Sequence, residues 1–176
     1  MSHHPEIQAL LDKQAITEVI HQYLRGADRA DAELIGQCYH PDAWEDHGGI
    51  YDGPADAYVA VMAKMLPRSG VMNHLATNIL IELDGDKAKV EHYIFAFARM
   101  KKKDGEELDT FTLARAIDRF EKRDGSWKIA RRTLVWEWNH DSATAENWGA
   151  GMITPDPSKL VRAAKKPHDA LYAEMK

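Results

Sequence analysis

The spacing of apolar residues divides the chain into a first part with a helical period and a second part made of strand-like segments. Between residues 7 and 27, apolar residues recur every three or four positions, which predicts an amphipathic helix. Asp31 is suited to cap a second, short helix over residues 32–39. Residues 54–67 begin and end with proline and predict a third helix. The turn-rich stretch over residues 42–51 fits a strand pair or a loop crossing.

After Gly70 the helical period is lost, and long segments typical of β-strands follow. Aspartate–glycine pairs separate these segments and favour tight hairpins. The four predicted strands cover residues 71–83, 87–100, 108–122 and 127–139. Three helices followed by a four-stranded antiparallel meander predict an α+β fold in which a curved sheet wraps the helices.

The predicted strand over residues 90–98 carries apolar residues on both faces. An antiparallel sheet with one wet face should alternate apolar and polar residues instead. Since the helices cover one face, we expect a second subunit to cover the other face, with the C-terminal tail as the alternative.

The C-terminal tail is looser in composition than the rest of the chain. It predicts one helix over residues 158–166 and a last helix after Pro167. We expect a single domain over residues 1–141 and a helical extension over residues 142–176 that packs on the same domain or on a neighbouring subunit.

Composition limits the classes of function. The chain has 176 residues, a net charge of −5 and no dense basic tract, so it would attract nucleic acid weakly. Cys38 is the only cysteine, which excludes an internal disulfide and a thiolate metal cluster and fits a small buried side chain. The N-terminus lacks a signal-peptide pattern, and no apolar run approaches the roughly 20 residues that span a bilayer. We therefore expect a cytoplasmic protein without nucleic-acid or membrane partners.

His74 is the first candidate for chemistry, because it lies among apolar and small residues at the start of the strand-rich part. Histidine is a useful base near neutral pH when a partner holds its tautomer. Asp28 is the candidate partner, since a carboxylate at a helix C-terminus faces the negative end of the helix dipole and needs compensation. A solvated charged patch around Asp28 and a core histidine at position 74 are the alternatives.

Two further residues extend this candidate site. Tyr23 lies five positions before Asp28, so the two share a pocket only if the helix frays or if Asp28 lies past its end. Arg132 follows Arg131 on the last predicted strand, and alternation sends one of the two inward. An inward arginine would stabilise developing negative charge.

The remaining histidines carry weaker signals. His92, on the apolar strand, fits either a second acid or base or a buried structural residue. His47 beside Asp46, and His140 beside Asp141, hint at a metal, but no three ligands share a recognisable spacing, so no metal site is expected. The sequence also lacks a phosphate loop, a dinucleotide fingerprint and a serine nucleophile elbow.

At these residues the sequence resembles the SnoaL-like branch of the NTF2-like (cystatin-like) superfamily. The resemblance covers about residues 7–140 and lies near the group that holds scytalone dehydratase, hexachlorocyclohexane dehydrochlorinase and bile-acid 7α-dehydratase. The motifs that carry it are Ala15-Ile16-Thr17 through Gly26-Ala27-Asp28, Tyr51-Asp52-Gly53-Pro54, Asn73-His74-Leu75-Ala76-Thr77-Asn78, and Arg123-Asp124-Gly125-Ser126-Trp127-Lys128.

The resemblance implies a cone-shaped α+β fold with a catalytic dyad formed by Asp28 and His74. It also implies that Arg132 belongs to the catalytic site. The position of Tyr23 is a tyrosine in the bile-acid dehydratase and a lysine in the dehydrochlorinase. The family's additional acid or base on the second long strand has His92 as its nearest counterpart. Catalysis without a cofactor is also implied, as is a homo-oligomer, for which the resemblance favours a trimer and leaves a dimer as the alternative.

The predicted function is a dehydratase-type elimination on a small apolar substrate, aromatic or polycyclic, that carries a hydroxyl or carbonyl group. His74 would remove a proton from carbon, Asp28 would hold the imidazole, and Tyr23 and Arg132 would stabilise oxygen or the leaving group. Isomerisation or retro-aldol cleavage by the same dyad is one alternative. A non-catalytic ligand-binding cone, or the small subunit of an aromatic-ring dioxygenase, is the other. The residues predicted to bind the substrate are Trp44, Tyr58, His92, Phe95 and Trp136.

Overall fold

The computed structural model describes residues 4–102, 104–145 and 156–174. Its three N-terminal helices are α1 (Pro5–Arg29), α2 (Ala32–Gln37) and α3 (Ala55–Met65). Proline occupies the first turn of α1, where its missing N–H leaves no donor unsatisfied. The helices predicted from the apolar period are therefore confirmed, although α2 ends at Gln37 rather than at residue 39.

Two local features set the angle between α1 and α2. Ala30 adopts a left-handed conformation with φ of 57° and ends α1, and the Asp31 side chain then accepts a hydrogen bond from the Leu34 N–H at 3.2 Å. A Cβ on Gly26 would lie 2.7 Å from Cγ1 of Ile35, so glycine allows α2 to approach α1 closely. Both features lie just beside Asp28.

The described residues form a sheet of six strands rather than the four predicted. The strands are β1 (Tyr39–Asp46), β2 (Asp52–Pro54), β3 (Met72–Asp84), β4 (Lys87–Lys101), β5 (Glu107–Arg123) and β6 (Ser126–Ala143), in the order β2-β1-β6-β5-β4-β3. The last four form the predicted antiparallel meander, but β1 pairs in parallel with β6, so the sheet is mixed. This pairing satisfies backbone groups at an edge of β6 that would otherwise be open. The α+β class is confirmed.

The core lies between α1 and the concave face of the sheet. On α1, the residues buried against the sheet are Ile16, Ile20, Tyr23 and Leu24. They pack in one cluster with Phe120, Ile129, Leu134 and small residues of β4 and β5. Ala114 and Ala116 place small side chains on the inner face of β5.

The opposite face of the sheet carries an aromatic patch made of Phe95, Phe97, Phe111 and Trp138. The Phe111 ring centroid lies 5.3 Å from that of Phe97 and 6.4 Å from that of Phe95, and Phe95 lies 6.4 Å from Trp138. Cover of this patch by a second subunit stays a prediction.

The tail corrects one expectation. Residues 158–166 do not form the predicted helix; a single 3-10 turn over Pro157–Lys159 is followed by irregular chain, and α4 (Ala170–Glu174) is the one α-helix among the described residues of the tail. The irregular segment instead bonds to the end of α1, with the Lys166 N–H donating to the Arg29 carbonyl at 2.7 Å and Lys166 Nζ contacting Asp31 at 2.9 Å. These tertiary contacts outweigh local helix propensity.

Within the described part of the chain, no helix combines the length and apolar character that a bilayer crossing requires.

Candidate functional site

A cavity of about 240 Å³ lies between the helices and the inner face of the sheet. Its apolar lining includes Leu24, Met62, Leu66, Met72, Ile94 and Leu134. Its polar or aromatic lining consists of Tyr23, His47, Tyr58, His74, Thr112, Arg132 and Trp136. A larger and shallower depression of about 710 Å³ near the β3–β4 turn contains none of the predicted catalytic residues. The smaller cavity is therefore the candidate site, because apolar walls with a few converging polar groups are typical of small-molecule sites.

His74 and Asp28 are joined by two hydrogen bonds. His74 Nδ1 lies 2.7 Å from Oδ1 of Asp28, and the His74 backbone N–H donates to Oδ2 at 3.2 Å. Because a carboxylate only accepts, Nδ1 carries the hydrogen, and Nε2 is left as the basic nitrogen. The arrangement is that of an oriented general base.

Asp28 reaches this position from the last turn of α1, which continues unfrayed to Arg29. Asp28 does not itself line the cavity, so Tyr23 and Asp28 need not share a helix face as the sequence analysis required. The unfavourable dipole at this helix end is offset by the His74 N–H and by Lys165, whose Nζ donates to the Asp28 carbonyl at 3.0 Å. Burial lowers the pKa of Lys165, while the Asp28 charge opposes this shift.

Two tyrosines present hydroxyl groups next to each other in the cavity. The oxygens of Tyr23, on α1, and Tyr58, on α3, are 3.3 Å apart. Burial, followed by the nearby Glu45 carboxylate, raises the pKa of Tyr23, and burial also raises the pKa of Tyr58. Both phenols therefore stay protonated at neutral pH and can donate a hydrogen bond to an oxygen in the cavity.

Arg132 points inward, and its side chain is 1% exposed. It makes a bidentate pair with Asp118, with Nε and Nη2 at 2.8 and 2.7 Å, and its guanidinium carbon lies 4.2 Å from the centre of the Tyr23 ring. Burial alone would lower the pKa of Arg132, but Asp118 outweighs it and raises the pKa. Among the described residues, Arg132 Nη1 has no hydrogen-bond partner, so its N–H groups are available to donate to a substrate oxygen.

His92 does not line this cavity. It is fully buried, and its Nε2 lies 3.4 Å from Oδ2 of Asp118, the carboxylate that binds Arg132. Neither ring nitrogen of His92 has a hydrogen-bond partner among the described residues, and the side chain is absent from the cavity lining, in contrast to its predicted place among the substrate-binding residues.

Strand alternation decides which predicted aromatic residues reach the cavity. Ile94 and Ala96 line it, so Phe95 lies on the opposite face of β4 in the aromatic patch. Trp44 is 39% exposed and donates to Asp52 at 2.6 Å, outside the cavity. Of the five residues predicted to bind substrate, only Tyr58 and Trp136 line the cavity.

His47 is a cavity residue that the sequence analysis missed. Its position beside Asp46 hints at a metal ligand in the sequence, but in the structure His47 Nδ1 lies 2.7 Å from Oε1 of Glu45, two residues earlier. Glu45 is fully buried at the end of β1 and also accepts a hydrogen bond from Tyr39 at 2.6 Å. The signal in the sequence was the two-residue spacing, which in a strand puts both side chains on one face.

In the described ranges no group of three or more histidine, cysteine or acidic side chains is arranged to hold a metal ion.

Comparison with known proteins identifies the family. Residues 8–133 match the SnoaL-like domain. The chain belongs to the SnoaL-like family. No curated protein sequence matches it.

Several solved structures share this fold. A candidate scytalone dehydratase from Novosphingobium aromaticivorans has a TM-score of 0.68 and 22% identity, over 78% of this chain and 91% of the other. Hexachlorocyclohexane dehydrochlorinase LinA-type3 from Novosphingobium barchaimii has a TM-score of 0.70 and 18% identity, over 81% and 97%. An NTF2-like protein with a cystatin-like fold from Novosphingobium aromaticivorans has a TM-score of 0.62 and 20% identity, over 75% and 86%. At these identities the likeness establishes the NTF2-like fold.

Proposed function

We propose that this SnoaL-like protein is a cofactor-independent lyase that eliminates water from a small apolar substrate. The observation that carries the proposal is the His74–Asp28 pair, joined at 2.7 Å, with His74 lining an apolar cavity. A dry cavity strengthens the interaction of the imidazole with its carboxylate and excludes competing water.

The reaction begins at a carbon next to a carbonyl group. His74 Nε2 takes a proton from this carbon, and the electron pair of the C–H bond moves to form an enolate. Asp28 neutralises the imidazolium that results. Collapse of the enolate forms the carbon–carbon double bond, breaks the carbon–oxygen bond at the β position and releases water once a proton has been supplied to the leaving oxygen.

The enolate oxygen needs donors placed before the reaction starts. The hydroxyls of Tyr23 and Tyr58, 3.3 Å apart and both protonated, are suited to this role. Arg132 adds a buried positive charge, and its Nη1 has no partner within the described chain. The site thus favours a substrate with a ketone or a similar acceptor beside the acidic carbon.

Substrate size follows from the cavity. A volume of about 240 Å³ with mostly aliphatic walls suits a small apolar molecule. Trp136 and Tyr58 provide aromatic surface for an aromatic substrate ring.

The test uses β-hydroxy ketones of graded size in deuterium oxide. Mass spectrometry follows deuterium uptake at the α carbon, and absorbance follows formation of the enone. We expect His74→Gln to lose both signals and Asp28→Asn to reduce both by roughly 10²-fold or more. His140→Gln, at an exposed histidine outside the cavity, is the matched control and should retain wild-type rates.

Equal rates in the wild type, His74→Gln and Asp28→Asn would exclude the dyad from the chemistry. Deuterium uptake without loss of water would instead favour the isomerase alternative, and release of two carbonyl fragments would favour retro-aldol cleavage.

A further inference from the structure

A second histidine–carboxylate pair contributes to the same cavity as His74 and Asp28. His47 lines the cavity and bonds through Nδ1 to Oε1 of Glu45 at 2.7 Å. This distance equals the one between His74 and Asp28. In the described part of the chain, Nε2 of both rings makes no hydrogen bond, so each imidazole keeps one nitrogen available for a substrate.

The His47 ring is held in place on its other sides. It stacks on Tyr58, with ring centroids 5.1 Å apart and planes at 27°, and Trp136 meets it edge-on at 5.8 Å. Trp136 Nε1 donates to the carbonyl of Gly48 at 2.9 Å, and a Cβ on Gly48 would lie 2.3 Å from that nitrogen. The backbone after His47 is therefore bound to the wall of the cavity. A ring clamped in this way is preorganised for proton transfer.

The two pairs differ in the environment of their carboxylates. The Asp28 side chain is 13% exposed, and Lys165 is bonded to the backbone of the same residue. The Glu45 side chain is 0% exposed, and its hydrogen-bond partners are Tyr39 and His47. A buried carboxylate is costly unless a positive charge or several donors compensate it. A proton carried by His47 would lie on a ring whose Nδ1 is 2.7 Å from Oε1 of Glu45, and it would supply such a positive charge.

We propose that His47, held by Glu45, is the general acid of the elimination. Its Nε2–H gives a proton to the β oxygen as the carbon–oxygen bond breaks, and the oxygen leaves as water. In the same turnover His74 gains the proton taken from carbon, so the protein ends with one proton moved from His47 to His74. Exchange with solvent returns both rings to their starting states. This role for His47 rests on the function proposed above.

The experiment separates the two histidines by what each step needs. Loss of an α proton requires a base only, whereas loss of a hydroxyl group requires an acid as well. Paired substrates that differ only in the leaving group, a β-hydroxy ketone and its β-acetoxy analogue, are compared in deuterium oxide. Acetate departs without a proton, so its loss does not depend on His47.

We expect His47→Gln to reduce dehydration of the hydroxy ketone by roughly 10²–10⁴-fold. The same variant should keep α-carbon exchange and acetate elimination within about tenfold of the wild type, whereas His74→Gln should lose all three. Glu45→Gln, which keeps an acceptor for Tyr39, should show an intermediate loss of dehydration. Thermal unfolding monitored by circular dichroism selects the variants that remain folded, and His47→Asn replaces His47→Gln if that variant unfolds.

Wild-type dehydration by a folded His47→Gln or His47→Asn protein, together with an inactive His74→Gln, would overturn the role of His47 and leave the elimination standing. Equal losses of exchange, acetate elimination and dehydration in His47→Gln would also overturn it, because the residue would then serve binding or the base step. Absence of exchange in the wild type on every substrate would overturn both proposals.

Discussion

The Asp28 carboxylate bonds to both the ring and the backbone N–H of His74. Oδ1 lies 2.7 Å from Nδ1 of the ring, and Oδ2 accepts the backbone N–H of the same residue at 3.2 Å. One carboxylate therefore sets the position of the strand and the orientation of the ring at once. The contact joins the end of α1 to the start of β3, which are 46 residues apart in the sequence.

This double contact predicts that activity and stability respond differently to changes at Asp28. Asp28→Asn keeps an acceptor for the backbone N–H but loses the charge that stabilises the imidazolium. We expect a loss of turnover of roughly 10²-fold or more with little change in stability. Asp28→Ala should lose as much activity and also about 1 kcal/mol of unfolding free energy, measured by urea denaturation. Equal stability of the two variants would show that the backbone contact is dispensable.

The Arg132–Asp118 pair should behave as a unit. Both side chains are buried, and removal of one leaves the other charge without compensation. We expect Asp118→Leu or Arg132→Met alone to cost about 3–5 kcal/mol, and the double variant to recover most of that loss. Turnover should stay low in the double variant, since the cavity has lost its positive charge. Additive losses of stability in a double-mutant cycle would contradict the coupling.

Asp31 links stability to acid pH. Burial alone would raise its pKa, but hydrogen bonds from Lys166, Leu34 and Tyr172 outweigh that effect and lower the pKa below the usual 3.8. A carboxylate whose pKa is lower in the folded than in the unfolded protein stabilises the fold at pH values above its unfolded-state pKa. This contribution is lost as the pH falls through the folded-state pKa. We therefore expect the stability difference between wild type and Asp31→Asn to be full at pH 6 and to shrink below about pH 4.

A second substitution separates the two roles of Asp31. Asparagine still caps α2, whereas Asp31→Ala also loses the cap and should cost about 1 kcal/mol more at pH 6. Urea unfolding of the three proteins from pH 3 to pH 7 measures both effects. If the difference in unfolding free energy between the wild type and Asp31→Asn stayed constant across that range, the Asp31 charge would contribute nothing to stability.

Cys38 should be unreactive in the folded protein. Burial raises the pKa of its thiol to about 11, although Arg132 and Lys128 act in the opposite direction. Since the thiolate is the reactive form, a disulfide reagent at pH 7.5 should modify the thiol only after unfolding. Rapid labelling of the native protein would show that the α2–β1 junction opens easily.

The aromatic patch on the convex face of the sheet predicts self-association. Trp138 is 47% exposed beside Phe95 and Phe111, and an apolar surface of this kind favours a protein interface. We expect light scattering to give a homo-oligomer for the wild type and a smaller species for Phe95→Glu/Phe111→Glu. Val161→Glu, at an exposed apolar residue of the tail, is the control and should not change the mass. A monomeric wild type would contradict this prediction.

Local pattern determined much of what is now described. The period of apolar residues placed α1 and the four strands of the meander to within a few residues, because it reflects contacts between neighbours on one helix or strand. The same pattern, with a family resemblance, singled out His74, Asp28, Tyr23 and Arg132. Of these, Tyr23, His74 and Arg132 line one cavity, and Asp28 supports His74 from behind.

Contacts between distant segments were decided only by the tertiary structure. Packing between distant elements sets the parallel pairing of β1 with β6 and the irregular course of the tail at the end of α1. It also keeps three predicted substrate-binding residues out of the cavity, namely Phe95, Trp44 and His92. Glu45 and His47 are two residues apart in the sequence, yet the pair became a candidate only when the fold stacked the His47 ring on Tyr58 in the cavity. Sequence periodicity specifies which face of an element is apolar, but the opposing surface is set by long-range packing, and that packing selects the side chains that enclose the cavity.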